Sequence, residues 1–211
     1  PTRYLWHAMQ MHCAYLGQMA PTSTVINIFT FMAMDHLRRV QRVAQRIKML
    51  DIVYPDFGFG TKGRLNWEEH PAFQPTRQAV EQMLVAYDYT EALVSFAAAL
   101  KPAIDTAYLK YLGLVAEING DRYLAQIHMS FEKDSSRHWD QLVALFRYAF
   151  EKAPAARDAV RQLLPRWREA ALQAVAALKP VYESMPAKVP VEQVVEEVRS
   201  RFAQFDSAAG L

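Results

Sequence analysis

The stretch DRYLAQIHMSFEKDSSRHWDQLVALFRYAF, residues 121–150, indicates the fold class more clearly than any other part of the chain. Its first residue, Asp121, is of a type that caps helix starts, and the preceding Asn119-Gly120 is suited to ending another helix. Apolar residues and two histidines then recur at helical spacing: Leu124, Ile127, His128, Phe131, His138, Leu142, Leu145 and Phe146. This stripe predicts a long amphipathic helix that buries one face.

Helices are predicted for most of the remaining chain, because apolar residues recur at helical spacing and no convincing alternating strand pattern is present. The first helix should end before Pro21, and Thr22 or Ser23 should cap the second. The predicted helices cover about residues 3–19, 23–50, 75–100, 103–118 and 121–150, with two more after Pro154 and Pro190. Lys101-Pro102 is expected to kink the third helix or to divide it from the fourth.

One segment, residues 51–74, interrupts this pattern. It holds three glycines and two prolines and is predicted to be an ordered loop with a short helical turn near Trp67. The other connections are short, which favours antiparallel neighbouring helices. The sequence therefore predicts an all-α fold: a single helical domain over residues 1–211, built as a ferritin-like bundle with extra C-terminal helices.

The composition excludes several classes of protein. The 211 residues are 52% apolar and carry 24 basic against 22 acidic side chains, so no nucleic-acid footprint is indicated. The apolar run near Ser95 is interrupted by Lys101-Pro102, so no membrane span is expected. A single cysteine, Cys13, cannot form an internal disulfide, which favours a cytoplasmic protein. The chain opens at Pro1 inside a helical pattern, and we interpret this as a truncated or processed start.

A search for catalytic and metal-binding patterns is largely negative. A bundle that binds two irons supplies Glu-x-x-His pairs from facing helices, since residues three apart project to the same side. The residues three positions before His7, His12, His36, His70, His128 and His138 are Tyr4, Met9, Ala33, Trp67, Ala125 and Ser135, and none is acidic. Asp134 precedes His138 by four, but such a lone pair often occurs by chance. An isolated histidine on a helix is more often a hydrogen-bonded core residue than a metal ligand. No phosphate-binding loop or nucleophile elbow is present, so no catalytic, cofactor or metal site is predicted.

Two segments are nevertheless related to each other. Residues 34–39, MDHLRR, and residues 133–138, KDSSRH, both contain Asp-x-x-Arg followed by a basic residue. One interpretation is two crossed ion pairs between helices, Asp35 with Arg137 and Asp134 with Arg38. The other is two ordinary surface pairs within each helix. The sequence leaves both open.

Four segments resemble the β subunits of the hydroxylase component of soluble diiron multicomponent monooxygenases, of toluene and alkene monooxygenase type. These are YLWH at residues 4–7, AYLGQMAP at 14–21, YPDFGFG at 54–60 and WEEHPAFQ at 67–74. The similarity covers most of the chain and is weakest past Lys179. It implies the ribonucleotide-reductase-like form of the ferritin-like fold and an N-terminal extension that this chain lacks.

The catalytic α subunits of that family carry Asp-Glu-x-Arg-His on two helices, where Glu and His bind iron. Against this pattern, His36 and Arg39 replace the first Glu and His, Ser135 replaces the second Glu, and His138 is retained. Lys101 falls near another ligand position. The resemblance thus implies a vacated metal site that has become a structural polar network, with Asp35 or Asp134 as partner of a cationic side chain. The residues concerned are Asp35, His36, Arg38, Arg39, Lys101, Asp134, Ser135, Arg137 and His138.

The implied function is that of a non-catalytic structural β subunit, inactive alone and without a cofactor of its own. The diiron centre would lie in a partner α subunit, and a small γ subunit and a second β subunit would complete the hydroxylase. An effector protein and a reductase or ferredoxin would serve it indirectly, in the hydroxylation or epoxidation of small hydrocarbons with O₂ and NAD(P)H. The aromatic loop at residues 54–73 would suit an interface. The alternative is a helical metal-binding or adaptor bundle with no oxygenase partner.

Overall fold

Nine α-helices make up the fold in this computed structural model, which describes all residues from Pro1 to Leu211. They are α1 (Thr2–Gln18), α2 (Ser23–Val53), α3 (Lys62–Glu69), α4 (Gln74–Leu84), α5 (Tyr89–Ile118), α6 (Arg122–Lys152), α7 (Ala156–Ala176), α8 (Lys179–Glu183) and α9 (Val191–Ala209). A single 3₁₀ turn, Pro55–Phe57, follows α2. The all-α prediction is confirmed.

Helix boundaries with a clear local signal lie where the sequence places them. Thr22 Oγ1 accepts a hydrogen bond from Val25 N at 3.4 Å and caps α2, and Asp121 does the same for α6 through Leu124 N at 3.0 Å. Gly120 ends α5 with a φ of +87°, a conformation that residues with a Cβ rarely adopt. Side-chain oxygens satisfy helix-start N–H groups that have no partner inside the helix.

The prediction of one continuous helix over residues 75–100 is wrong, because the chain is not helical between Leu84 and Tyr89. Asp88 is the reason. Its side chain accepts a hydrogen bond from Glu91 N at 2.8 Å and caps a new helix, α5. No glycine or proline marks this break, so only the capping aspartate could have revealed it.

Of the two expectations for Pro102, a kink or a division of the helix, the division is wrong, because α5 runs on through it. Two π-helical stretches, Phe96–Leu100 and Asp105–Tyr111, flank it, and their wider turns accommodate the ring. The missing N–H of Pro102 frees the carbonyl of Ala98, four residues earlier, and Arg168 Nε donates to that oxygen at 3.1 Å. A residue of α7 thereby satisfies the backbone group that the proline leaves free.

Helix α5 forms the centre of the bundle. By length and composition it could cross a membrane, but 89% of its most apolar window is buried inside the fold. Helix α6 packs closely beside it, since a Cβ on Gly113 would lie 2.9 Å from the Cβ of His128. Helix α2 contacts both of them, since Arg39 of α2 lies 3.6 Å from Asp105 of α5 and donates to Phe131 O of α6. Residues of α2, α5 and α6 therefore meet in the interior.

Candidate functional site

A charged cluster is buried where α2, α5 and α6 meet. The side chain of Arg39 is fully buried and that of Lys101 is 3% exposed. Lys101 Nζ pairs with a carboxylate oxygen of Asp105, and Arg39 Nη1 lies 3.6 Å from the other oxygen. Arg39 Nη2 also donates to Phe131 O at 3.2 Å and to Ser135 Oγ at 2.8 Å. One carboxylate therefore serves two buried cations, and Arg39 connects all three helices.

The partner of Lys101 differs from the one expected. The resemblance pointed to Asp35 or Asp134, whereas the structure pairs Lys101 with Asp105, one turn further along the same helix. Sequence reasoning missed Asp105. The available signal was its i,i+4 spacing from Lys101, which places the two side chains on one face of α5.

Both crossed ion pairs are present between α2 and α6. Arg38 pairs with Asp134, and Arg137 Nη2 lies 2.6 Å from Asp35 Oδ2. Arg38 also donates to Ser130 Oγ at 3.0 Å. The carboxylates of Asp35 and Asp134 are only 18% and 14% exposed, so they lie within the helix interface and not on an open surface.

Two histidines complete the cluster. The ring of His36 is fully buried, stacks on Trp6 of α1 with centroids 6.0 Å apart, and lies 5.8 Å from the ring of His138. Neither nitrogen of His36 has a hydrogen-bond partner. His138 Nε2 donates to Asp35 Oδ2 at 2.8 Å, which fixes the proton on that nitrogen.

Burial keeps both rings neutral. It lowers the pKa of His138 to about 4, and the nearby charges of Lys101 and Arg39 act in the same direction, against the hydrogen bond to Asp35. Burial and the same two cations hold the pKa of His36 well below its ordinary value. Burial alone would raise the pKa of Asp105, but the adjacent Lys101 and Arg39 outweigh it and lower that pKa. At neutral pH Asp105 is therefore charged, and the rings of His36 and His138 are uncharged.

A polar cavity of about 330 Å³ opens beside the cluster, between α5, α6 and α9. Lys101, Asp105 and Ser135 form part of its wall. One carboxylate oxygen of Asp105 has no hydrogen-bond partner in the protein. That oxygen, Oδ1, is itself buried, although the Asp105 side chain as a whole is 20% exposed. The cavity therefore borders the cluster without opening this oxygen to solvent.

These residues do not fit a two-iron centre. Four cations (Arg38, Arg39, Lys101, Arg137) face three carboxylates (Asp35, Asp105, Asp134), so with neutral histidines the net charge is 4 − 3 = +1. Every carboxylate is already engaged by lysine or arginine. A positively charged site without free carboxylates repels dications, which need oxygen donors to offset their charge. No group of three or more His, Cys, Asp or Glu side chains is arranged to hold a metal ion.

Other polar and aromatic residues of α1 make contacts of their own. Tyr4 stacks on Trp67 at 6.5 Å, whereas Trp6 of the same helix lies against His36. His12 Nε2 donates to Ala92 O at 3.0 Å, and burial raises the pKa of the Cys13 thiol to about 12, so this thiol is unreactive. Among His7, His12, His36 and His138, the histidines on α1, α2 and the second half of α6, only His36 and His138 have adjacent rings.

Two similar proteins are both subunits of the hydroxylase component of a monooxygenase. The β subunit of the hydroxylase component of the toluene-4-monooxygenase system of Ectopseudomonas mendocina is 37% identical over 177 residues, which cover 84% of this chain and 54% of the relative. The small subunit of the hydroxylase component of propane 2-monooxygenase of Gordonia sp. (strain TY-5) is 28% identical, over 89% of this chain and 52% of the relative. The chain spans about half the length of these relatives.

Solved structures share the fold. A chain of toluene 4-monooxygenase, solved with toluene bound in the resting active site, superposes with a TM-score of 0.79 at 32% identity, covering 96% of this chain and 60% of that one. A chain of xenon-pressurised phenol hydroxylase from Pseudomonas sp. OX1 gives the same TM-score at 19% identity, covering 98% and 61%, and shows the fold alone. The predicted ferritin-like hydroxylase fold is thereby confirmed.

The family model described as methane/phenol/alkene hydroxylase matches residues 1–153. This range includes α1 to α6 and every residue of the buried charged cluster. Because the match covers well over half of the chain, the protein belongs to the methane/phenol/alkene hydroxylase family.

Proposed function

We propose that this chain is a non-catalytic β-type subunit of a hydrocarbon monooxygenase hydroxylase and that it supports a larger, iron-bearing subunit. The observation that carries the proposal is the buried cluster of Arg39, Lys101 and Asp105. It lies between the helices that bear the two degenerate motifs, and its charges disfavour a metal. The names of the relatives, a hydroxylase β subunit and a hydroxylase small subunit, support the assignment.

The cluster holds facing helices together, as a metal centre would do in a catalytic relative. Ligands from facing helices are held together by the ion they share. Here Arg39 links α2 to α5 and α6, while the pairs Arg38 with Asp134 and Arg137 with Asp35 link α2 to α6. These direct contacts hold the same helices without a cofactor. The function that follows is mechanical: a rigid bundle on which other subunits assemble.

The oxygen chemistry belongs, in this proposal, to a diiron centre in the larger partner, where one atom of O₂ is inserted into an aromatic, alkene or short-alkane substrate. A small third subunit and a second copy of this chain complete a cytoplasmic hydroxylase. NAD(P)H supplies electrons through a reductase, with or without a ferredoxin, and a small effector protein binds the assembly. The relatives' names, which include toluene and propane monooxygenases, support the substrate class.

Affinity purification from the producing cell tests this proposal. With a tag on this chain, we expect equimolar recovery of a larger chain with two Glu-x-x-His motifs, iron in the complex, and hydrocarbon-dependent oxygen uptake with the reductase. Intact-complex mass spectrometry and metal analysis give the readouts. Recovery of this chain alone, with stoichiometric iron bound, would contradict the proposal and favour a metal-binding bundle. Recovery alone and without iron would favour an adaptor.

A further inference from the structure

The cavity between α5, α6 and α9 is lined by equal numbers of positive and negative side chains. Its volume is about 330 Å³, at the small end of the range for sites that bind small molecules. Three cationic and three acidic residues form part of its wall: Lys101, Lys110, Arg201, Asp105, Glu132 and Glu197. Charges removed from water normally have partners, so the pairing of these six indicates what kind of ligand fits.

Only four of the six charges are matched within the protein. They form two ion pairs: Lys101 with Asp105, and Lys110 with Glu197, whose Nζ and Oε1 atoms lie 2.8 Å apart. The other two, Glu132 and Arg201, form no ion pair with each other or with any other residue. The cavity wall therefore carries one free carboxylate and one free guanidinium.

The free carboxylate belongs to α6. Glu132 is partly buried, and this burial raises the pKa of its carboxyl group. Lys110 acts in the opposite direction, but its ammonium group is already paired with Glu197. Burial without a partner disfavours the charged form of a carboxyl group, and a nearby cation favours it. An ammonium group in the cavity would supply the partner that Glu132 lacks.

The free guanidinium belongs to α9. The Cζ atom of Arg201 lies 4.0 Å from the ring centre of Trp139, and Nη1 donates to Gln204 Oε1 at 2.9 Å. The indole is itself held edge-on by Phe205, with ring centroids 5.3 Å apart. A stacked guanidinium keeps its N–H edges available, and two of these N–H groups match the two oxygens of a carboxylate. Arg201 is therefore oriented in advance for a carboxylate ligand.

The two free charges lie at opposite ends of the cavity. Glu132 and Trp139 are seven residues apart on α6, so they share one face of the helix, with Cα atoms about 10 Å apart. Because Arg201 stacks on Trp139, its charge is two helical turns from Glu132. Apolar side chains complete the wall: Ala97, Leu109 and Leu142. A molecule that satisfies both charges carries an ammonium and a carboxylate group joined by a short carbon chain.

We infer that this cavity is a binding site for a small zwitterion of the ω-amino-acid class, with its ammonium group at Glu132 and its carboxylate at Arg201. The site is independent of the proposed subunit role, because all six charges belong to this chain. Arg201 also lies beyond residues 1–153, so the family match does not account for the site. A bound zwitterion would link α9 to α6 and stabilise the folded chain.

Isothermal titration calorimetry tests the site on the protein as it is recovered from the producing cell. The probes are β-alanine, γ-aminobutyrate and ε-aminocaproate, which differ in chain length, and butyrate and butylamine, which carry one charge each. We expect at least one zwitterion to bind with a Kd below about 1 mM, and the singly charged ligands to bind at least about tenfold more weakly, because each leaves one charge unmatched. Weaker binding of every zwitterion, or equal binding of butyrate or butylamine, would overturn the inference.

Charge-removing substitutions locate the bound zwitterion. Glu132→Gln and Arg201→Gln are matched by Glu196→Gln and Arg199→Gln, which alter exposed residues of α9. We expect the affinity to fall at least about tenfold for the two cavity variants and to stay at the parent level for the controls. Thermal unfolding verifies that all four variants fold, and the zwitterion should raise the midpoint of the parent and the controls only. Parent affinity in either cavity variant would place the ligand elsewhere and overturn the inference, and the comparison of ligands decides the matter even if a variant fails to fold.

Discussion

Both sides of α2 carry exceptions to the usual distribution of side chains, beside residues that follow it, such as the buried Phe29 and the exposed Gln41. Its inward side buries Arg39 completely, together with the uncharged ring of His36. Its outward side exposes Phe31, Met34 and Ile52 to solvent. A helix of an isolated protein normally places apolar groups inside and charges outside.

Two separate constraints account for the side chains of this helix, one on each side. Inside, the charges are tolerated because each has a partner: Arg39 and Lys101 share Asp105, and Arg38 pairs with Asp134. Outside, Phe31, Met34 and Ile52 have no cover within the chain, which the proposed role as a subunit would explain.

The largest loss of stability is expected for a substitution of Asp105, the residue of α5 that pairs with Arg39 on the inward side of α2. Asp105→Ala leaves Lys101 and Arg39 buried without a carboxylate, and removing one member of a buried ion pair costs about 3–5 kcal/mol of unfolding free energy. Urea titration of the isolated chain measures this. Asp158→Ala, in a surface pair with 79% exposure of the aspartate, should change the value by less than about 0.5 kcal/mol. Equal stability of the two variants would show that the cluster is not a buried network.

A combined substitution sharpens this result. Replacing Arg39 and Lys101 with methionine and Asp105 with leucine removes all three charges together. Because no charge is then left unpaired, we expect stability within about 1 kcal/mol of the parent, or higher. A loss as large as that of Asp105→Ala alone would mean that side-chain packing, and not charge balance, dominates at this site.

The free energy of unfolding should also decrease as the pH falls, because His138 is held uncharged in the folded protein. Its pKa in the folded protein, about 4, lies below the ordinary 6.5, so the unfolded chain binds the proton more readily than the folded one. Stability is therefore full above about pH 6.5 and is lost as the pH falls towards 4, by about 3 kcal/mol for this group. His12, with a pKa also lowered to about 4, adds to the loss. His138→Gln should flatten the pH dependence of the urea midpoint across this window, and an unchanged slope would refute the assignment.

A smaller effect is expected at Asp134. Asp134→Ala removes the partner of Arg38, but this arginine is 35% exposed and keeps its bond to Ser130, so water compensates part of the loss. We expect a cost of about 1–2 kcal/mol in the urea titration. Glu68→Ala, which breaks an exposed pair with Arg64, is the control and should cost less than about 0.5 kcal/mol. A cost for Asp134→Ala as large as that for Asp105→Ala would place Arg38 in the buried set.

The smallest effect on stability is expected for substitutions on the exposed side of α2. Phe31→Ser and Ile52→Ser remove exposed side chains that the fold does not use, so unfolding free energy should change by less than about 0.5 kcal/mol. Phe29→Ser, two residues away and fully buried, should cost several-fold more. A large loss of stability for either would mean that the outer side is packed within the chain.

Sequence reasoning succeeded where the cause was local. Pro21 with Thr22, and Gly120 with Asp121, determine helix boundaries through backbone sterics and capping, and these act within a few residues. The crossed pairing of Asp35 with Arg137 was one of two interpretations of a repeated motif. It could be proposed because both motifs lie on long helices.

Sequence reasoning failed where the cause was tertiary. Pro102 remains inside α5 because Arg168 of α7 satisfies the freed carbonyl of Ala98, a contact between residues 70 positions apart. The pairing of Lys101 with Asp105 depends on α5 being continuous there, which the proline argued against. Complete burial of Arg39 follows from the position of α6; residue spacing did not indicate it, and only the resemblance placed Arg39 in an interior polar network.

Iron analysis of the assembled hydroxylase tests the central claim most directly. The parent complex is compared with one in which this chain carries His36→Phe and His138→Gln, which remove the two histidines at the degenerate motifs. Because the iron is proposed to lie in the larger subunit, we predict the same iron content per complex and the same hydrocarbon-dependent oxygen uptake for both. A loss of iron from the double variant, with the subunits still assembled, would show that this chain binds metal and would contradict the account.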